Sequence, residues 1–187
     1  MHYLFKNNFY YKFKAPNADD LIEKLNKETE VDNSQFSWGQ NCNVDRIPLT
    51  WEEYTDLMTP SINMFMEELR SENAVRKGEI QLDILDPWLN IYTRGCYQEL
   101  HDHWEDDLVC VFFLNAGENF SKFYFRERNN TEFSDRWRGI MDLPDNWYPT
   151  IEAGDMIFFP GHMFHGVTCH RSDEVRKTFS CNFKFVA

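Results

Sequence analysis

The chain has 187 residues, of which 31 are acidic and 19 are basic, and its formal net charge is −12. That charge argues against general binding to nucleic acid or to anionic membranes, because their phosphates would repel the protein. The length suits a single domain with a substantial core, and an aromatic content of 17% with 17 Phe favours a β-rich interior.

The N-terminal part of the chain begins with a predicted strand and a predicted helix. Aromatic residues alternate with polar ones over 3–13, which is typical of a strand. Asn17 precedes early acids and apolar residues at helical spacing, so a helix is predicted over 17–25. Residues 36–43 are typical of a loop with room for a short strand.

A second helical segment is predicted to start at Thr50. Thr50 and Glu53 have the spacing of a capping box, in which each side chain bonds the other residue's backbone. Apolar residues at helical spacing continue from Tyr54 to Leu69, and a bend is expected at Pro60.

From Gly78 onward the pattern changes to short strands separated by turns. Strands are predicted over 80–93, 108–114, 120–125, 148–152, 155–159, 167–170 and 178–186. Ala153-Gly154-Asp155 is typical of a turn, and the polar segment 129–147 is predicted to be a long loop over the mouth of a site. Helices followed by seven or eight strands predict a mainly β protein with N-terminal helices (α+β), folded as a double-stranded β-helix or jelly roll. We expect one domain, with supporting elements over 1–77 and the β core over 78–187.

The cysteines and the N-terminus predict a soluble, cytoplasmic protein. The five cysteines, at 42, 96, 110, 169 and 181, are odd in number and lack the Cys-x-x-Cys spacing, so no disulfide framework is expected. The N-terminus has no continuous apolar run of the signal-peptide kind. No window approaches the roughly 18 apolar residues that a membrane span requires.

Three histidines are candidate ligands of a transition metal. His101 and His103 are separated by one residue ahead of an apolar run, so on a strand both would point to one face. His165 follows a second apolar run, and imidazole nitrogens held on strands suit a mononuclear transition metal. Arg176 and Thr178 lie two residues apart in the segment 176–183, which alternates like a strand, so a guanidinium and a hydroxyl on one face can hold a carboxylate.

The order of these residues resembles that of the iron(II)- and 2-oxoglutarate-dependent oxygenases, over about residues 80–187. The resemblance is to a prolyl-hydroxylase-like group with a His-x-His motif. It is carried by Trp88-Leu89-Asn90, His101-Asp102-His103, Gly154-Asp155 through Pro160 with His165, and Arg176-Lys177-Thr178 with Asn182.

The resemblance implies a metal site formed by His101, His103 and His165. Most of the wider superfamily has His-x-Asp or His-x-Glu at the first position, so His103 paired with Glu105 is the alternative register. The match over 108–114 favours the three histidines, whereas a carboxylate would better balance the charge of a ferrous ion. His162 and His170 are expected to lie behind the ligands or at the surface.

The resemblance also implies that Arg176 and Thr178 bind 2-oxoglutarate, with Tyr92 and Asn90 as further contacts. The implied cofactors are Fe(II), 2-oxoglutarate as co-substrate and O2, with ascorbate as a candidate activator. The expected reaction couples decarboxylation of 2-oxoglutarate to succinate with hydroxylation of a protein side chain, such as a prolyl residue, or of a small molecule.

Two other functions are kept as alternatives. One is a cupin-like metal enzyme that uses no keto acid, which leaves the arginine and threonine of the last strand unexplained. The other is a non-enzymatic jelly roll with a structural or sugar-binding role. Trp104, Trp137 and Trp147 are candidates for lining an entrance to the site.

Overall fold

The computed structural model describes residues 8–31, 36–37, 44–71, 81–85, 87–127, 136, 139–140 and 145–186. Its helices include α1 (Ala18–Val31), a short 3₁₀ helix (Trp51–Glu53) and α2 (Thr55–Ser71). The strands are β1 (Tyr11–Lys14), β2 (Phe36–Ser37), β3 (Asp45–Pro48), β4 (Gln81–Ile84), β5 (Trp88–Tyr92), β6 (Gln98–His101), β7 (Leu108–Phe113), β8 (Phe123–Arg126), β9 (Asn146–Trp147), β10 (Asp155–Pro160), β11 (His165–Val167) and β12 (Arg176–Val186).

These strands form two antiparallel sheets. The larger sheet has the order β1-β10-β7-β12-β5-β3-β2, and β4 pairs with the C-terminal half of β12. The smaller sheet has the order β6-β11-β8-β9. Because β12 is eleven residues long, it pairs with β5 and β4 along one edge and with β7 along the other.

One face of the larger sheet packs against the helices and forms the main hydrophobic core. Phe179, Cys181 and Phe183 of β12 lie in this core. Leu21 and Leu25 of α1, one helical turn apart, are fully buried in it because that helix is amphipathic. Complete burial of such a leucine side chain stabilises the fold by about 1.5–3 kcal/mol.

The opposite face of the larger sheet contributes to a second core with the smaller sheet. Val109, Val111 and Phe113 of β7 lie in this second core, together with Phe123 and Phe125 of β8. The two-residue period of a strand therefore separates a helix-covered face from a face that looks toward the smaller sheet. The prediction of a mainly β protein with N-terminal helices is confirmed.

The predicted capping box at Thr50 is wrong. The Thr50 side chain makes no capping hydrogen bond, and the first turn after it is a 3₁₀ helix. The α-helix begins at Thr55, whose hydroxyl donates to the Trp51 carbonyl oxygen at 3.1 Å. The helix then continues through Pro60 to Ser71.

Most predicted strands are present with shifted ends, and two, β3 and β6, were not predicted. The segment 148–152 is not a strand; β9 lies just before it and pairs with β8. Of the strand predicted over 3–13, residues 3–7 lie outside the described ranges, as does most of the predicted loop over 129–147.

The turn at Gly154 is confirmed by its backbone. Gly154 has φ of +81°, a conformation that disfavours side chains, and its N–H donates to the Phe113 carbonyl oxygen at 2.7 Å. Cys96, Cys110, Cys169 and Cys181 are free thiols. Among the helices of the described ranges, none has the length and apolar character needed to cross a membrane.

Candidate metal centre and anion pocket

A cavity of about 250 Å³ is lined by residues of both sheets. Its polar wall comes from alternate residues of β5 and β12, and the register pairs Arg176 with Tyr92 and Thr178 with Asn90. Val109 of β7 contributes to its apolar wall. A strand pair with polar residues on one face and core residues on the other thus produces a polar pocket beside a dry interior.

Three histidine side chains converge at this cavity. His101 ends β6, and its register partner on the neighbouring strand is His165 of β11. His103 lies two residues beyond His101, outside any strand, so the expectation of both on one strand is corrected. One ligand nitrogen from each ring lies within 4.8 Å of the other two, a spacing that a single metal ion can bridge.

Each of the three rings uses Nδ1 for a hydrogen bond to the protein. His101 Nδ1 donates to the Glu99 carbonyl oxygen at 2.7 Å, and His165 Nδ1 donates to the Met163 carbonyl oxygen at 2.9 Å. His103 Nδ1 lies 3.0 Å from the Asn182 side-chain oxygen. Because Nδ1 carries the proton in each case, the Nε2 lone pair of every ring is available to a metal.

The three imidazoles are held in the neutral form that metal binding requires. Burial lowers the pKa of His103 to about 4 and lowers the pKa values of His101 and His165 as well. The neighbouring imidazoles lower the pKa of His165 further, because two positive rings would repel each other. At neutral pH, no proton has to be displaced before these nitrogens bind a cation.

The alternative ligand and the two remaining candidate histidines lie apart from this group. Glu105 is exposed and lines the cavity, but its carboxylate is not among the three converging ligand groups. His162 is exposed, and its Nε2 lies 3.2 Å from the Asn8 side-chain oxygen. His170 is buried, with Nδ1 accepting from the Ser121 N–H and Nε2 donating to the Glu174 carbonyl oxygen.

Arg176 places a buried guanidinium in the cavity, and no acidic side chain of the described residues forms an ion pair with it. The residue is 3% exposed, and within the described ranges it forms no ion pair and its Nη1 has no hydrogen-bond partner. Its Cζ lies 4.5 Å from the ring centroid of Tyr92, to which it also hydrogen-bonds, and 5.6 Å from that of Phe113. Burial lowers its pKa, because the charged form is poorly solvated there. An anion that enters the cavity would relieve this cost by pairing with the guanidinium.

The other two predicted contacts for 2-oxoglutarate lie beside this guanidinium. Thr178 and Asn90 are both buried, and Asn90 Nδ2 lies 3.3 Å from the Thr178 hydroxyl and from that of Ser180. The four predicted residues therefore line one cavity, on adjacent strands of one sheet.

The cavity also contains residues that sequence reasoning did not assign to the site. Arg46 of β3 lines it, with Cζ 3.9 Å from the Trp88 ring centroid, and the Trp88 ring stacks near His103. Asp106 and Asn182 line it as well, next to His103. Trp88 and Asn182 belong to the oxygenase-like motif of the sequence. Arg46 does not, and it reaches the cavity because β3 lies next to β5 in the sheet.

The three tryptophans expected at an entrance do not share one location. Trp104 lines the cavity and is 77% exposed. Trp147 is exposed on β9, where its indole N–H donates to the Tyr10 hydroxyl at 3.1 Å. Trp137 lies outside the described residues.

A comparison with protein families covers the residues of this site from Trp88 to Asn182. Residues 86–182, more than half of the chain, match the model of a family described as "Putative 2OG-Fe(II) oxygenase". The sequence matches none of the curated proteins with which it was compared.

Solved structures resemble the fold over nearly its whole length. The non-heme alpha ketoglutarate dependent epimerase SnoN from nogalamycin biosynthesis superposes with a TM-score of 0.67 at 14% identity, over 95% of this chain and 78% of that one. A prolyl-4-hydroxylase from Pseudomonas putida gives a TM-score of 0.64 at 12% identity, over 95% and 92%. A viral collagen prolyl hydroxylase from Paramecium Bursaria Chlorella virus-1 gives 0.60 at 11% identity, over 96% and 97%.

Proposed function

We propose, since this chain belongs to the 2OG-Fe(II) oxygenase family, that it hydroxylates a small molecule or a protein side chain, with a prolyl residue as the first candidate. The observation that carries the proposal is one cavity holding three converging imidazoles and a buried, uncompensated arginine. The two groups provide for a metal and for an anionic co-substrate, respectively. A cupin-like enzyme without a keto acid would give that arginine no ligand.

His101, His103 and His165 would hold the iron through Nε2. The donor set fits, because every Nδ1 is occupied by a protein acceptor and all three rings are neutral. When bound, the iron supplies the redox chemistry that couples decarboxylation of 2-oxoglutarate to succinate with oxidation of a substrate by O2.

The protein's own contribution is binding, orientation and exclusion of water. Arg176 would hold the distal carboxylate of 2-oxoglutarate with its vacant Nη1, and Tyr92 fixes the plane of that guanidinium. The Thr178 hydroxyl would add a hydrogen bond, and Asn90 holds this hydroxyl in place. Val109 and Val111, both buried, line the cavity and keep that part of it apolar.

We further propose that the two facing sheets form a double-stranded β-helix and that the chain is one domain. The antiparallel pairing throughout both sheets supports this, as does similarity to solved oxygenases over about 95% of the chain. Residues 78–187 would form the catalytic core, and 1–77 would support it.

The test is succinate formation by the intact chain loaded with Fe(II) without oxygen and then given O2 and 2-oxoglutarate. We expect succinate in the wild type, more of it when a substrate is added, and none in His165→Ala. His162→Ala is the matched control, because this exposed histidine lies outside the cavity lining. Absence of succinate from iron-loaded wild type, with proline peptides and small-molecule pools both supplied, would refute the proposal.

A further inference from the structure

A carboxylate lies behind one of the three imidazoles, separated from it by a single side chain. Asp106 Oδ2 lies 2.5 Å from Asn182 Nδ2, and Asn182 Oδ1 lies 3.0 Å from His103 Nδ1. The Asp106 side chain is only 11% exposed, and Lys184 Nζ lies 3.9 Å from its other oxygen. A continuous polar path therefore leads from a shielded carboxylate to the ring.

The chemistry of each group fixes the direction of these hydrogen bonds. An ionised carboxylate only accepts, so Asn182 must turn its amide nitrogen to Asp106 and its amide oxygen to His103. That oxygen only accepts as well, so the proton of His103 must reside on Nδ1. The lone pair of Nε2 is then directed into the cavity, which is where a metal ligand needs it.

His103 differs in this respect from its two neighbours. His101 and His165 donate to the uncharged carbonyl oxygens of Glu99 and Met163. Behind His103 the acceptor is an amide whose own donor faces a carboxylate, which makes the amide oxygen a stronger acceptor. A hydrogen bond from Nδ1–H to such an acceptor raises the basicity of Nε2 and fixes the ring orientation.

We propose that Asp106 and Asn182 are positioning residues that fix the tautomer of His103 and supply, one side chain removed, the negative charge that a three-imidazole metal site lacks. This inference rests on the proposed metal site. It also assigns a role to Asp106 without making its carboxylate a metal ligand. Loss of such a partner typically weakens metal binding by about 10- to 100-fold.

The experiment measures Co(II) affinity of the intact chain by competition with a chelator, because Co(II) accepts the same nitrogen ligands. Asn182→Leu removes both hydrogen bonds, and we expect its Co(II) dissociation constant to rise by about 10- to 100-fold. Asp106→Asn keeps an acceptor for Asn182 but removes the charge, so we expect a smaller rise.

Asp107→Asn is the matched control for charge. It removes one negative charge from the next residue, whose Oδ2 accepts from the Phe185 N–H at 2.7 Å and lies outside the cavity lining. An asparagine oxygen can accept the same bond. We expect Co(II) affinity of this variant to equal that of the wild type.

A double variant distinguishes this relay, the hydrogen-bonded path from Asp106 through Asn182 to His103, from a merely structural role of the two residues. Asp106→Asn combined with Asn182→Asp moves the carboxylate next to His103 Nδ1, and the new asparagine can donate to it. We expect Co(II) affinity to return to at least the wild-type value. A structural role for the original pair predicts that two changes weaken the site more than one.

Proton NMR of the Co(II) protein provides a second measurement. The Nδ1–H protons of metal-bound histidines give shifted, exchangeable signals, and we expect three in the wild type. The His103 signal should be lost to solvent exchange in Asn182→Leu and kept in Asp107→Asn.

The outcomes distinguish failure of the relay from failure of the metal site. If His103→Ala binds Co(II) as tightly as the wild type, the proposed site itself is wrong. If His103→Ala loses the metal while Asn182→Leu keeps wild-type affinity and all three signals, only the relay is wrong. Should Asn182→Leu fail to fold, Asp106→Asn decides, because an affinity equal to that of Asp107→Asn overturns the proposal.

Discussion

Replacing Arg176 with lysine keeps the positive charge of the pocket but removes the planar pair of donors. Arg176 is 3% exposed and its Nη1 has no hydrogen-bond partner among the residues that the structure describes, so its bonds to a bound carboxylate would form away from solvent. A hydrogen bond to a charged group contributes about 1.5–3 kcal/mol. Since 1.4 kcal/mol is a factor of ten, we expect affinity for 2-oxoglutarate to fall roughly ten- to a hundredfold.

The assay is titration of 2-oxoglutarate into the metal-loaded protein, followed by calorimetry and by the concentration needed for half-maximal succinate formation. We expect both values to rise in Arg176→Lys while metal content stays unchanged. Arg94→Lys is the matched control, because it makes the same chemical change in an exposed arginine paired with Asp173 at 2.6 Å. Its affinity for 2-oxoglutarate should equal that of the wild type.

The thermal stability of Arg176→Met, measured without and with 2-oxoglutarate, is the test that could refute this reasoning. A buried guanidinium without an anion is costly, so Arg176→Met should unfold at no lower temperature than the wild type. In turn, 2-oxoglutarate at 100 times its dissociation constant should stabilise the wild type by about 2.7 kcal/mol and should not stabilise Arg176→Met. Lower stability of Arg176→Met combined with unchanged 2-oxoglutarate affinity of Arg176→Lys would make the arginine a structural residue.

Three other predictions concern the metal centre. Glu105→Ala should keep the metal and His103→Ala should lose it, as measured by metal content after dialysis; loss in Glu105→Ala would favour the carboxylate register. Gly161→Ala should weaken metal binding, because the added Cβ would displace the backbone of the turn that holds His103. It would lie about 2.0 Å from the Asp106 carbonyl oxygen and 2.6 Å from that of His103. Urea unfolding separates this effect from global destabilisation. Acidification from pH 6.5 to 4 should lower the unfolding free energy of the metal-free protein. In that window unfolded His103 takes up a proton, whereas folded His103, with a pKa of about 4, does not. The unfolding free energy of His103→Gln should therefore depend less on pH.

The sequence was sufficient to place the residues of the proposed anion pocket on one face. The alternation of β12 predicted that Arg176 and Thr178 would lie side by side, and the pairing with β5 adds Tyr92 and Asn90 directly opposite. A two-residue period survives errors in strand ends, because shifting a boundary does not change which residues share a face.

The environment of His103 could not be predicted in the same way. Its position depends on a turn whose backbone lies against Gly161, with the His103 N–H donating to the Gly161 carbonyl oxygen at 2.8 Å. That contact joins residues 58 positions apart, and no local pattern encodes it. β6 was missed for a related reason: it is an edge strand with Leu100 39% exposed, so it lacks an apolar alternation.

The proposed co-substrate site and the proposed metal site both depend on strand β12. Arg176 lies at the start of β12 and Asn182, the residue behind His103, lies six positions further along the same face, roughly 20 Å away at 3.3 Å per residue. Their separation is fixed by backbone pairing with β7 and β5 and by Phe179 and Cys181 in the core on the other face. A paired strand with its other face in the core holds such positions more rigidly than a flexible loop would, and binding an anion beside a metal depends on that rigidity.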